Sequence, residues 1–93
     1  MVTAIILVQA RRDKVKDVAQ AFLATPGIAE VYSVAGRYDL VAIARVAKDG
    51  DLADLVTGRV GQIDGLERTE TLIAFQTLSR YDLERMFSIG QDQ

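Results

Sequence analysis

The feature that most constrains the fold is a repeat, because the sequence divides into two similar halves offset by 38 residues, as Ile5 and Ile43 illustrate. Each half contains an apolar run of strand length, a segment with apolar residues at helical spacing, and a second apolar run. The other matched pairs are Val18 and Val56, Phe22 and Val60, Gly27 and Gly65, Ile28 and Leu66, and Val34 and Leu72. Two βαβ units in succession define the ferredoxin-like plan. The sequence therefore predicts an α+β fold of order βαββαβ, in which two helices cover one face of a four-stranded antiparallel sheet.

Local signals place the individual elements. The run from Val2 to Ala10 is apolar and rich in β-branched residues, which predicts the first strand. Asp13 is the expected N-cap of the first helix, and Thr25-Pro26-Gly27 ends that helix. The remaining predicted elements are strands over residues 28–35, from 39 or 40 to 46, and over 66–77, and a second helix between the loop Lys48-Asp49-Gly50-Asp51 and Asp64-Gly65.

The predicted sheet is apolar on both faces. In the first strand Ala4 and Ile6 lie on one face, while Ile5 and Leu7 lie on the other, and the third and fourth strands repeat this pattern. Since the helices cover only one face, the other should expose an apolar patch large enough to mark an interface. We expect a homodimer or a larger symmetric assembly that associates through this face. Alternatively, the segment from Ser79 to Ile89 folds back over it.

Composition narrows the classes of function. The chain has 93 residues, a net charge of −2, no cysteine and no histidine. A chain of this length forms one domain. Without cysteine there is no thiolate chemistry, which fits a cytoplasmic location. Without histidine the commonest metal ligand and neutral-pH acid or base is missing. The basic residues near Arg11 alternate with Asp13 and Asp17, so we expect a solvated face rather than direct nucleic-acid binding.

Motifs for catalysis or for cofactor binding are sparse. The sequence has no glycine-rich dinucleotide motif, P-loop or zinc-protease motif. Asp49, Asp51 and Asp54 are spaced loosely like calcium ligands, but no glutamate closes a twelve-residue loop, and helix capping explains them better. No apolar run approaches the length of a membrane span. We therefore predict no catalytic residue, no metal, no cofactor and no membrane contact.

Two short polar segments interrupt the apolar pattern of the predicted strands. The first is the turn Gly36-Arg37-Tyr38-Asp39, in which glycine permits a positive φ and the other residues carry a cation, a phenol and a carboxylate. The second is Arg68-Thr69-Glu70-Thr71, where the two threonines share one face of the fourth strand with Ile73. Both patterns are compatible with turn and strand formation alone. Both also suit a small zwitterion, which turn amides, an aspartate and hydroxyl groups can hold.

The turn G-x-Y-D-L at Gly36 to Leu40, the segment from Asp64 to Leu72 (DGLERTETL) and the order βαββαβ together resemble the effector-binding domain of the Lrp/AsnC transcription regulators. This module is also called the RAM domain, for regulation of amino-acid metabolism. The resemblance covers about residues 2–77. On this basis we assign residues 1–79 to the RAM domain and residues 80–93 to a C-terminal extension.

The resemblance implies a non-catalytic regulatory module with amino-acid effectors. Domains of the family dimerise through their sheets, the dimers commonly form octameric or similar rings, and effectors bind between subunits. Turn amides and a threonine would hold the α-carboxylate of the ligand, and Asp39 would hold its α-ammonium. Carried over by position, the residues implied to line the site are Gly36, Arg37, Tyr38, Asp39, Thr69 and Thr71.

One departure concerns DNA binding, because family regulators carry an N-terminal helix-turn-helix, whereas this chain starts with the first strand of the ligand module. We therefore expect a stand-alone module that senses amino acids or joins full-length Lrp/AsnC regulators in mixed oligomers. Two alternatives remain. One is a small dimeric α+β-barrel enzyme resembling the monooxygenases that share this topology, although their sites generally rely on His, Trp or a cavity within the sheet. The other is a purely structural assembly unit.

Overall fold

A computed structural model describes residues 1–78 and Arg80, and it has the predicted ferredoxin-like architecture. The sheet is antiparallel, with strand order β2-β3-β1-β4. The strands are β1 (Val2–Ala10), β2 (Ile28–Ser33), β3 (Leu40–Val46) and β4 (Leu66–Ile73), and the helices are α1 (Val15–Leu23) and α2 (Asp49–Asp54). Within the described residues neither helix is long and apolar enough to cross a membrane.

The sequence repeat is visible as an approximate two-fold relation between the halves. The two central strands are β1 and β3, one from each half, and Ile5 lies directly opposite Ile43 in their antiparallel register. The matched glycines that precede β2 and β4 also share a conformation, since Gly27 and Gly65 have φ values of 100° and 91°. Such positive φ values favour glycine. The two halves therefore enter their second strands in the same way.

The core lies between the sheet and the helices. Alternate residues of β1 and β3 face the helices and are fully buried, among them Ile6 and Ala42. Alanines on these strands let the helices approach closely, while large side chains from the helices fill the space between them. The buried helix-side residues are Val18 and Phe22 from α1, Leu52 from α2, and Leu55 and Val60 from the turns that follow α2.

The predicted bounds of three elements are wrong. β4 ends at Ile73 rather than Thr77: its last ladder pair joins Ile73 to Ala4, near the beginning of β1, and the last contact is from the Ala74 N–H to the Thr3 carbonyl at 2.9 Å. β2 ends at Ser33 rather than Ala35, as the chain leaves the sheet for the turn. The second helix begins at Asp49, inside the predicted loop, is regular only over Asp49–Asp54, and continues as a π turn (Leu55–Arg59) and a 3-10 turn (Val60–Gln62). Gly58 and Gly61 in these turns lower helical propensity.

The predicted N-cap of the first helix is also wrong. Asp13 lies inside a 3-10 turn, Arg12–Lys14, and α1 begins after it at Val15 without a side-chain capping hydrogen bond. The Asp13 carboxylate instead lies 3.8 Å from the Arg11 guanidinium. An exposed pair of this kind contributes little to stability.

The sheet face away from the helices, here called the open face, carries the predicted apolar patch. Ile5, Leu7, Val41 and Ile43 are partly exposed at its centre, and Leu72 is 45% exposed beside them. Among the described residues nothing from the helices covers this face, since both helices lie on the other side. The predicted return of residues 79–89 over it, like the predicted extension over residues 80–93, lies outside the described residues apart from Arg80.

Candidate functional site

The turn between β2 and β3 is a closed hairpin fixed to the end of β1. The Val34 N–H donates to the Asp39 carbonyl at 3.0 Å, and the Asp39 N–H donates to the Val8 carbonyl at 2.8 Å. Gly36 has a φ of 137°, as the sequence predicts, and a Cβ atom there would meet nothing within 4 Å. Glycine is therefore needed at this position for its conformation rather than for space.

The Asp39 carboxylate extends β3 with a side-chain hydrogen bond. β3 begins at Leu40, which pairs with Val8, so the backbone of β3 does not extend far enough to pair with Ala10. Asp39 Oδ2 accepts from the Ala10 N–H at 2.9 Å and takes the place of the missing strand partner. Because a carboxylate accepts several hydrogen bonds, this contact leaves capacity for a further donor.

A polar cleft of about 350 Å³ opens between this turn and the end of β1. We call it the turn cleft. A 2.6 Å hydrogen bond from Gln9 Nε2 to the Arg37 carbonyl ties the turn to one of its walls. Its lining consists of Gln9, Ala10, Arg12, Val15, Arg37, Asp39 and Glu67. Two guanidinium groups and two carboxylates thus share a small partly enclosed space, which is a suitable environment for a zwitterion.

Glu67 reaches the turn cleft through a β-bulge. Gln9 pairs with Arg68 and Ala10 pairs with Leu66, so Glu67 is an extra residue in β4 without a partner of its own. A bulge of this kind re-aims a side chain at the end of a ladder. Sequence reasoning missed Gln9, Arg12 and Glu67 as site residues. Their meeting depends on the register between β1 and β4, of which the sequence carries no local signal.

Tyr38 leaves the turn in another direction. Its hydroxyl donates to Glu70 Oε2 at 2.6 Å, and Glu70 lies opposite Leu7 on the open face. The hydrogen bond to Glu70 raises the pKa of Tyr38, and burial and the charge of Glu70 act in the same direction, while Arg68 and Arg37 oppose them. Tyr38 therefore joins the turn to β4 across the intervening strand.

Thr69 and Thr71 share the helix-side face, as their spacing predicts, and do not join the turn within one chain. They lie opposite Val8 and Ile6, whose side chains are buried under the helices. The sheet thus separates both threonines from the Tyr38 hydroxyl. Thr71 lines a mainly apolar groove of about 410 Å³ beside α2, together with Asp49, Leu52, Ala53, Val56, Thr57 and Ile73. The structure therefore divides the six predicted site residues into two groups.

A second charged cleft, of about 330 Å³, lies at the opposite end of the sheet, where β3 ends. We call it the distal cleft. Its charged lining residues are Arg45, Asp51, Asp54 and Arg59. Neither here nor elsewhere in the described part of the chain do three carboxylate, histidine or cysteine side chains come together as a candidate metal site.

Tyr32 bears on the enzyme alternative, for which a tyrosine beside a carboxylate would be needed in a cavity between sheet and helices. Its hydroxyl donates to Glu30 Oε2 at 2.8 Å, but the contact is exposed, and Tyr32 lies on the open face opposite Val41. The hydrogen bond to Glu30 raises the pKa of Tyr32. Both tyrosine–carboxylate pairs therefore lie on the surface, and each phenol keeps its proton at neutral pH.

Comparison with known proteins identifies the family. A sequence profile described as the Lrp/AsnC ligand binding domain matches residues 3–83. The chain belongs to this family. Among the relatives of the Lrp/AsnC domain, the HTH-type transcriptional regulator FL11 of Pyrococcus furiosus is 33% identical over 75 residues, and FL11 of Pyrococcus horikoshii is 35% identical over 74 residues. The matches cover 81% and 80% of this chain but only 49% and 48% of those regulators. The chain thus spans about half the length of the curated relatives it matches.

Solved structures support the Lrp/AsnC assignment at the level of the fold as well. TTHA0845 from Thermus thermophilus superposes with a TM-score of 0.81 at 44% identity, and the match covers 86% of this chain and 100% of that one. AsnC of E. coli superposes with a TM-score of 0.78 at 20% identity, covering 85% of this chain and 54% of AsnC. At that identity AsnC supports only the fold. The chain is thus a Lrp/AsnC ligand-binding domain, and the curated relatives that it matches are named transcriptional regulators.

Proposed function

We propose that the chain is an amino-acid-binding regulatory module without catalytic activity, and that the turn cleft is its effector site. The observation that carries the proposal is the cluster of Arg12, Arg37, Asp39 and Glu67 in one cleft of a Lrp/AsnC ligand-binding domain. An amino acid needs donors for its carboxylate and an acceptor for its ammonium group, and the cleft supplies both. Partial enclosure strengthens such charge-assisted hydrogen bonds.

Each end of the ligand has a candidate partner in the turn. Arg37 and the amides near Gly36 lie on one segment and can hold the α-carboxylate. Asp39 uses one oxygen for the Ala10 N–H and can accept from the α-ammonium group with its remaining capacity. Tyr38 supports the turn from the open face through Glu70. In this proposal Tyr38 positions the site rather than touching the ligand.

Thr69 and Thr71 require a different role, because they lie on the helix-side face of β4. Within one chain the sheet keeps them away from the Tyr38 hydroxyl. We therefore propose that they contact an effector only if a neighbouring subunit brings its turn against β4. That role depends on assembly, whereas the role of Arg37 and Asp39 does not.

The open face is the proposed surface for assembly. Ile5, Leu7, Val41 and Ile43 form an apolar centre on it, and apolar patches of this kind mark interfaces. We propose a homodimer through this face, further association of dimers into a ring, and mixed assembly with full-length Lrp/AsnC regulators. A cytoplasmic location belongs to the same proposal. Both helices of the described residues pack on the sheet, so this part of the chain has no free helix to enter a DNA groove.

An amino acid as effector is further supported by a structural neighbour. The transcriptional regulator NMB0573 of Neisseria meningitidis, solved as a complex with L-Met, superposes with a TM-score of 0.76. Its identity to this chain is 16%, so it shares the fold and offers a precedent for the class of ligand, not for the particular amino acid.

The test is a thermal-shift scan of the 93-residue chain against each of the twenty amino acids at millimolar concentration. A ligand present at 100 times its dissociation constant stabilises the folded state by about 2.7 kcal/mol, which such a scan detects. We expect at least one L-amino acid to raise the melting temperature while its D-enantiomer has a smaller effect. If none of the twenty raises it, the proposed function is wrong.

A further inference from the structure

None of the four charged residues that line the turn cleft takes part in a salt bridge within the described part of the chain. Outside the cleft, Arg11 pairs with Asp13 and Lys14 pairs with Asp17, each at 3.8 Å. Inside it, Arg12 and Arg37 form no salt bridge with any residue of the part that the structure describes. The cleft therefore contains two guanidinium groups whose hydrogen-bonding capacity is not used by neighbouring carboxylates.

Donors exceed acceptors in this cleft. Each guanidinium has five N–H donors, and the two arginines come from different segments, Arg12 from the turn after β1 and Arg37 from the hairpin turn. On the acceptor side the cleft has two carboxylates, Asp39 and Glu67, which offer about eight acceptor positions against the ten N–H donors of the two guanidinium groups. Asp39 already accepts from the Ala10 N–H, and the Arg37 carbonyl already accepts from Gln9. A ligand that completes this arrangement carries more acceptors than donors. A second carboxylate on the ligand meets that requirement.

The apolar part of the lining is small, which separates this cleft from the other cavities. Ala10 and Val15 are its only apolar lining residues, so an aliphatic side chain would bury little surface there. An aliphatic ligand would find a better match in the apolar groove, where Leu52, Val56 and Ile73 line a larger volume. The turn cleft is therefore selective for a polar side chain.

We infer that the effector is a dicarboxylic amino acid, L-aspartate or L-glutamate, and that Arg12 is the residue that selects its side-chain carboxylate. The inference rests on the proposed function and specifies its ligand class. Arg37 and the turn amides hold the α-carboxylate, and Asp39 holds the ammonium group. Arg12, which comes from the turn after β1, is then the group left to meet the side-chain carboxylate.

The amide counterparts of these amino acids isolate the contribution of Arg12. Asparagine and glutamine match the acidic ligands in shape but replace a charged acceptor by a neutral one. A carboxylate can accept two parallel N–H bonds from the Arg12 guanidinium and also pairs with its charge, whereas an amide offers one neutral oxygen. We therefore expect the acid to bind about tenfold more tightly than its amide. In Arg12→Gln the acid should bind about as weakly as the amide, while the affinity for the amide changes by less than about threefold.

Isothermal titration calorimetry of the full 93-residue chain tests this with L-glutamate, L-aspartate, their amides, L-leucine and L-lysine. Arg59→Gln is the matched control, because Arg59 is an arginine of the distal cleft. We expect it to retain both affinity and the preference for acids. Tightest binding of leucine or lysine would overturn the ligand class but leave the proposed function intact. If Arg59→Gln weakens the affinity for the ligand and Arg12→Gln does not, the ligand binds in the distal cleft and the role of Arg12 is wrong. Absence of binding by all six ligands would overturn the ligand class, whereas the proposed function fails only if none of the twenty amino acids stabilises the chain in the thermal-shift scan.

Discussion

The hydroxyl of Tyr38 donates a 2.6 Å hydrogen bond to Glu70, two residues that lie 32 positions apart in the sequence. The bond passes over β1, because Glu70 lies on β4 opposite Leu7, while Tyr38 belongs to the hairpin turn that precedes β3. The turn motif and the Arg-Thr-Glu-Thr strand are thus connected directly. The connection runs through Glu70 rather than through the threonines on either side of it.

The first prediction concerns the pH dependence of this bond. Because Glu70 raises the pKa of Tyr38 above its usual value of 10.0, protonated Tyr38 contributes stability that is fully present below pH 10. That contribution is lost as the pH rises through the folded-state pKa. We expect wild type to be more stable than Tyr38→Phe in urea denaturation between pH 7 and about pH 9. The difference in stability should shrink above about pH 10, where the unfolded chain begins to lose the Tyr38 proton before the folded chain does.

Glu70→Gln provides the control for this prediction. The hydrogen bond to the Glu70 carboxylate, which can only accept, is the largest cause of the raised pKa of Tyr38, and the charge of Glu70 adds to it. The glutamine amide is neutral and can also donate to a phenolate, so neither cause opposes ionisation of Tyr38 in the same way. In that variant the Tyr38 hydroxyl should titrate at a lower pH, which ultraviolet difference absorbance of the phenolate measures against the wild type. An unchanged titration curve would contradict the role assigned to Glu70.

The fold could be predicted from the sequence because its local patterns and the repeat agree. β1 has the predicted bounds, Val2–Ala10, since a β-branched run with alternating burial specifies a strand without reference to its partners. The sequence predicts too long a β4, because its apolar residues continue to Phe75. The number of β4 residues that pair depends instead on how far the ladder with β1 extends toward the beginning of β1. The length of an edge strand thus depends on its partner strand as well as on its own residues, and a local sequence pattern reports only its own residues.

The site divides in the same manner. Asp39 and Gly36 follow from turn chemistry, which is local and readable in the sequence. Arg12 and Glu67 are brought to the cleft by the register between β1 and β4 and by the extra residue in β4. Residues 12 and 67 are far apart in the sequence and belong to no common motif, so only the folded sheet brings them together.

The second prediction separates the structural and ligand-binding roles of Asp39. In Asp39→Asn the side-chain oxygen can still accept from the Ala10 N–H, so we expect near-normal stability with a loss of amino-acid binding. In Asp39→Ala the Ala10 N–H loses its partner, which costs about 1–3 kcal/mol for a buried donor and less where water reaches it. Denaturant unfolding and ligand titration of both variants give the two readouts. Unimpaired binding in Asp39→Asn would refute the contact with the ligand ammonium group.

The third prediction compares two glycines, one of which is required for its backbone conformation alone and the other also for lack of space. Gly65 has a φ of 91°, and an added Cβ would lie 2.6 Å from the Lys14 Cβ atom. Gly36 has a φ of 137° and open space around it. We expect Gly36→Ala to cost about 1–3 kcal/mol through backbone strain alone. Gly65→Ala should cost more, because the turn Arg12–Lys14 must also move. Urea unfolding of both variants provides the comparison, and equal costs would contradict the steric contribution at Gly65.

The fourth prediction tests assembly through the open face. Ile43 lies opposite Ile5 at the centre of that face, so Ile43→Lys places a charge in the apolar patch without disturbing the helix-side core. If two copies associate by a two-fold axis through this face, both lysines are buried near each other, and association becomes strongly unfavourable. Leu23→Lys is the matched control, since Leu23 is 57% exposed on α1, away from the sheet. Sedimentation velocity should show a smaller species for Ile43→Lys and an unchanged one for Leu23→Lys, whereas the wild-type mass in both variants would place the interface elsewhere.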